Sequence, residues 1–126
     1  MRAVDTNVLL RLLARDDRKQ TAAAEEFVAA GAWVSHLVLV ETIWVLDAVY
    51  KRTAAQIAKA IELLLNHNSL TLQDADVVAS ALESFKARPS LGFSDCMVLG
   101  IAHKAGHLPL GTFDKGLAKL ADVCRL

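Results

Sequence analysis

Four acidic side chains stand where folding alone does not ask for them. Asp5 interrupts the opening "MRAVDTNVLL", whose apolar flanks predict a buried segment. Glu41 lies within "HLVLVETIWVL", with Leu37 and Val38 one turn before it and Trp44 and Val45 one turn after, so helical spacing sets it on an apolar face. Asp95 begins the apolar run "CMVLGIA", and Asp114 directly follows "GTF". A carboxylate leaving water is costly without a compensating partner. Four of them brought together would repel one another and hold on to their protons unless a cation intervened. An all-oxygen ligand set, with neither imidazole nor thiolate, suits Mg2+ or Mn2+. Such an ion activates water and stabilises charge on a phosphate.

Each acid also has a simpler reading. Asp5 could cap the helix that follows it, and Asp114 the last short helix. Asp95 could favour a helix dipole beside a Ser94 cap. Glu41 has no capping job, and a buried ion pair is its main rival explanation. Taken together, and at their positions along the chain, the four favour a metal.

The elements that must position them can be read from periodicity. "RAV" predicts a first strand and "NVLLRLLARDD" a short helix. "RKQTAAAEEFVAAG" predicts a helix ending at Gly31, and "AWVS" a second strand. Two helices follow, "HLVLVETIWVLDAVYKR" and "TAAQIAKAIELLLNH", the latter opened by Thr53. "LTLQ" reads as a third strand and "DADVVASALESFKAR" as a helix stopped by Pro89. "SDCMVLGIAHKAG" reads as a helix with Ser94 as cap and Gly106 as stop, and "LPLGTF" as a fourth, edge strand. Strands separated by helices, with no hairpin signal, predict a parallel sheet covered by helices. The expected class is α/β, a three-layer α/β/α arrangement with a short, mainly parallel central sheet and a single domain over residues 1–126. In such sheets ligands bind beyond the carboxyl ends of the strands, where Asp5 and Asp114 would fall. The third helix is apolar around nearly its whole circumference and must be covered on more than one side. A homodimer would cover it, and so would a fully internal position.

Composition limits the partners. Lys plus Arg and Asp plus Glu number 14 each, so no basic excess argues for nucleic acid, although local patches remain open. Arg11 and Arg15 on the first helix, and Lys86 and Arg88 before the third acid, are candidates for holding phosphates. Two cysteines, Cys96 and Cys124, fit a reducing compartment. The chain shows neither a signal peptide nor an apolar run of membrane-spanning length, so a soluble cytoplasmic protein with no membrane association is expected.

At the four acids the sequence resembles a PIN domain, and within that family a VapC-type toxin of a toxin–antitoxin pair. The likeness lies in "VDTNVLLRLL", "SHLVLVETIWVL", "FSDCMVLGIAHKAG" and "GTFDKGL", in that order along the whole chain. It implies a magnesium-dependent endoribonuclease acting on an RNA substrate, with Asp5, Glu41, Asp95 and Asp114 in the four acidic places. Asp5 and Asp95 would be the direct metal ligands. Glu41 and Asp114 would bind a second ion or act through water. Asn7 and Thr112 match polar positions that orient the acids or the scissile phosphate. The implied partner is a cognate antitoxin, a small DNA-binding protein. Ser94, Cys96, Pro109 and Gly111 depart from the usual pattern.

Other chemistries fit less well. A phosphatase of the aspartyl-phosphate type needs a second aspartate two residues after the first, and position 7 is Asn. A receiver domain needs an acidic pair after its first strand, which is missing. No Gly-rich phosphate loop is present. His103 and His107 are four apart, but Gly106 ends the helix between them, which spoils a zinc spacing. From a different class, a catalytically silent PIN-like module that only binds RNA or a protein stays open.

Overall fold

A strand of only two residues starts the chain, and the polar side chain of Asp5 converts it into a helix. The computed structural model describes residues 1–126, which divide into two compact units, residues 1–75 and 76–126.

In the first unit β1 (Arg2–Ala3), β2 (Ala32–Val34) and β3 (Leu70–Leu72) form a parallel ladder in the order β1-β2-β3. Ala3 faces Trp33 in register, and Val34 faces Leu72. The connections carry α1 (Thr6–Ala14), α2 (Arg18–Val28), α3 (His36–Ala48) and α4 (Ala54–Leu65). Parallel strands need such crossovers. Every one of these helices starts on a side-chain cap: Asp5, Asp17, Ser35 and Thr53 accept from Val8, Gln20, Val38 and Gln56 backbone N–H groups. Each cap satisfies a donor that the first helical turn would otherwise leave unpaired. At Thr53 the Gln56 side chain reciprocates by accepting the Thr53 N–H, completing a capping box. Leu9, Leu10, Val28, Val34, Leu39, Ile43, Leu46, Ile61 and Leu64 are buried. At i, i+3, i+4 and i+7 spacing, α3 buries Leu39, Thr42, Ile43 and Leu46 on one face only.

The second unit begins with α5 (Ala75–Ala87), followed by a 3-10 turn at Pro89–Leu91 and α6 (Phe93–Ala105). Gly100 lets α6 approach α5, since a Cβ there would lie 3.1 Å from Val77 Cγ1. Phe85 and Phe93 meet edge to face, centroids 6.2 Å apart. β4 (Leu110–Thr112) pairs in parallel with β5 (Val123–Arg125) as a separate two-stranded ladder. Leu91, Phe93, Cys96, Met97 and Leu117 are buried.

The expected α/β class with short parallel sheets is found, and every strand pairing is parallel. Three local expectations change. Ser94 does not cap α6: the cap position lies two residues earlier at Gly92, whose positive φ of 78° turns the chain. The fourth strand gains a partner at the C-terminus, where "VC" forms β5. The third helix is not fully internal, because Leu37 and Trp44 are 75% and 64% exposed. No helix is long and apolar enough to cross a membrane.

Candidate functional site

In the first unit one threonine, Thr6, connects Asp5 and Glu41: it follows the first in the chain and bonds the second. Asp5 follows β1 and caps α1, its Oδ1 accepting from Val8 N at 3.1 Å. The next residue, Thr6, donates its hydroxyl to Glu41 Oε2 at 2.9 Å. Both acids are exposed, which corrects the expectation of burial. The physical reason is local: β1 is exposed at both residues, and Glu41 shares its helix face with solvent-exposed Leu37 and Trp44. Thr6 itself is not among the residues expected from the sequence. Its signal is a hydroxyl beside an acid in the first turn of a helix. Asn7 is exposed and lines a groove with Asp5 on the α1–α2 side.

The second unit pairs Asp95 with Asp114. Asp95 sits half-buried in the first turn of α6. Burial pushes its carboxyl pKa up, and the neighbouring charge of Asp114 raises it further. The adjacent Cys96 thiol is also pushed up, by burial first and by Asp95 second. Asp114 is exposed after β4, its Oδ2 accepting from Leu117 N at 2.7 Å, which makes it the cap of the Leu117–Lys119 turn. Thr112 accepts the Asp114 N–H on its hydroxyl at 3.0 Å and so shapes the turn that carries the acid. Gly116 belongs to this arrangement too: a Cβ there would come within 3.3 Å of Asp114 Oδ2 and 3.2 Å of Leu91 Cδ2. A glycine two residues after an acid at a strand end was its sequence signal.

The donor chemistry fits a divalent cation. No lysine or arginine forms a salt bridge with any of the four acids. Asp5, Glu41 and Asp114 each give one carboxylate oxygen to a protein donor and keep the other, and Asp95 keeps both. Unneutralised and oxygen-only, with Asp114 repelling the charge of Asp95, they suit a hard ion. Neither unit by itself gathers three such ligands.

The basic residues expected to meet RNA are mostly engaged. Arg11 is held by Asp16 at 2.7 Å and donates to the Tyr50 hydroxyl at 3.4 Å. Arg15 pairs with Glu25 at 2.6 Å, and Lys86 lies 4.0 Å from Glu83. Arg88 is exposed and forms no ion pair.

Compared with known families, residues 2–123 match the PIN domain. No curated protein and no solved structure matches the chain. PIN domains are generally nucleases and typically work with divalent metal ions. With a match that runs from Arg2 to Val123 and includes all four acids, the chain belongs to the PIN domain family.

Proposed function

We propose that the protein is an Mg2+-dependent endoribonuclease, with Mn2+ as a substitute ion, and the toxin of a toxin–antitoxin pair. In this reading residues 1–126 work as one domain, and Asp5, Glu41, Asp95 and Asp114 serve a single reaction. The observation that carries it is the Asp95–Asp114 pair: a half-buried carboxyl whose pKa is raised by burial and by a second acid, with no lysine or arginine ion-paired to either. Such an arrangement costs stability unless a cation completes it, and a partly buried acid facing a like charge is a functional-site candidate.

Bound divalent metal would supply water activation and charge stabilisation at the scissile phosphate. The protein's own groups hold and orient. Asp5 and Asp95 would hold the ion. The Thr6 hydroxyl fixes the rotamer of Glu41 so that its remaining oxygen stays available. Thr112, through the Asp114 N–H, keeps Asp114 on its turn. Asn7 orients the acids or the scissile phosphate from the first turn of α1. A small DNA-binding antitoxin is the proposed inhibitor, and the exposed α3 face carrying Leu37 and Trp44 is the proposed homodimer contact. The proposed site of action is the cytoplasm.

A second reading has its own support. Asp5 and Asp114 both cap helical turns, so each has a structural job in a silent module that merely binds RNA or a protein. One experiment separates the two. Purified protein is incubated with single-stranded RNA and Mg2+, with and without chelator, beside Asp5→Asn and Asp95→Asn. The nuclease reading expects cleavage that chelator stops and that either substitution lowers by roughly a hundredfold or more, the several kcal/mol of metal-assisted catalysis. RNA binding without cleavage in any metal supports the silent module.

A further inference from the structure

Beside Asp5, on the face of the first unit where α1 packs against α2, lies a groove of about 400 Å³. That size is within the range of small-ligand sites, about 300–1,000 Å³. Its lining divides into two chemistries. Val8, Ala23, Ala24 and Phe27 give it an apolar surface, with two alanines of α2 leaving the space open. Asn7 and Gln20 add two side-chain amides, and neither amide makes a hydrogen bond within the protein. Each amide carries both a donor and an acceptor, the combination that reads the edge of a base.

Two charged groups also line the groove, Arg11 and Asp5, and the Asp5 carboxylate has no ion-pair partner. Arg11 is tied by its two terminal nitrogens to Asp16 and Tyr50, which leaves its buried Nε–H without a hydrogen-bond partner. Arg2 stacks its guanidinium 3.8 Å from the Phe27 ring centroid and donates to Phe27 O at 3.1 Å, which fixes the aromatic ring in place. The Asp5 carboxylate repels an anion such as a phosphate and Arg11 already faces Asp16, so the occupant that fits is uncharged, flat and rich in hydrogen-bonding edges. Resting on the nuclease reading above, we propose that this groove holds one unpaired nucleobase of the RNA, next to Asp5. Phe27 and the α2 alanines bury the ring, and Asn7 and Gln20 read its edge. A base in a duplex cannot enter, because its edge is already paired, so the groove selects single-stranded RNA.

The test uses the full chain and fluorescence anisotropy in chelator, which reads binding without cleavage. The probes are a labelled 12-nucleotide single-stranded RNA and the same RNA carrying abasic positions scanned along it. Ala23→Glu fills the groove from an exposed helix position with a good helix former, and its melting curve reports whether it folds. Gln20→Ala alters only an exposed amide. Wild type should lose about tenfold in affinity at one abasic position, in line with base–aromatic contacts. In folded Ala23→Glu the intact RNA should bind about tenfold more weakly and the abasic penalty should vanish. Gln20→Ala should change the ranking of A, C, G and U homopolymers. Wild-type-like RNA binding by folded Ala23→Glu overturns the pocket. So does the absence of any abasic penalty in wild type, or an Ala23→Glu effect confined to binding of a protein partner. If wild type neither binds nor cuts RNA, the nuclease reading itself has failed and the pocket goes with it; if it cuts RNA while the abasic scan is flat, only the pocket has failed.

Discussion

Asp95 is the residue whose energetics say most. Its folded pKa lies above its ordinary value of 3.8, through burial first and Asp114 second. The folded state therefore favours the protonated carboxyl. Its contribution to stability is present below the unfolded value and is lost as pH rises through the folded one. Wherever Asp95 is ionised in the fold, it is a standing destabilisation. Asp95→Asn should raise the melting temperature at pH 7 in chelator while abolishing RNA cleavage, a combination a purely structural aspartate would not give. Asp16 runs the opposite way: the Tyr50 hydroxyl, donating at 2.9 Å, leads in lowering its pKa. Its contribution is present above the unfolded value of 3.8 and is lost as pH falls through the folded one. Tyr50→Phe should shrink that acid-side loss in a pH series of melting curves. At this scale all four acids were visible in the sequence as carboxylates among apolar residues, but their exposure was not. Neighbours in sequence reveal that a helix face is apolar, not whether anything in the chain covers it, and so Glu41 read as buried.

Among the elements, the boundaries set by local chemistry were the easiest to read. Thr53 opens α4 because its side chain and that of Gln56 exchange hydrogen bonds with each other's backbone, a contact spanning three residues. Thr53→Ala should cost about 1 kcal/mol in denaturant unfolding. Ile61, fully buried on the same helix, should cost about 2–5 kcal/mol as Ile61→Ala. The α6 start was harder, because Ser94 has a capping residue's chemistry yet Gly92, by its positive φ, turns the chain earlier. The β4–β5 ladder was harder still, since "VC" is too short to announce a strand and gains its identity only from its partner. The Thr6–Glu41 contact spans 35 residues and could not be read from spacing along either helix.

For the molecule as a whole, family membership and α/β class were legible because four short motifs recur in order along almost the full chain. For the proposed homodimer the sequence offers only an excess of apolar residues on α3. Leu37 and Trp44, seven residues apart and thus on one helix face, leave a hydrophobic surface exposed. If they form the homodimer contact, Trp44→Glu should convert a dimer to a monomer by light scattering, with the fold retained by circular dichroism. The claim on which the reading depends is that the proposed nuclease needs both Asp5 and Asp95 to bind its metal, and Mn2+ calorimetry on the full chain addresses it directly. Wild type should bind Mn2+, and Asp5→Asn and Asp95→Asn should each weaken that binding tenfold or more. Unchanged Mn2+ affinity and stoichiometry in either folded variant would contradict the account.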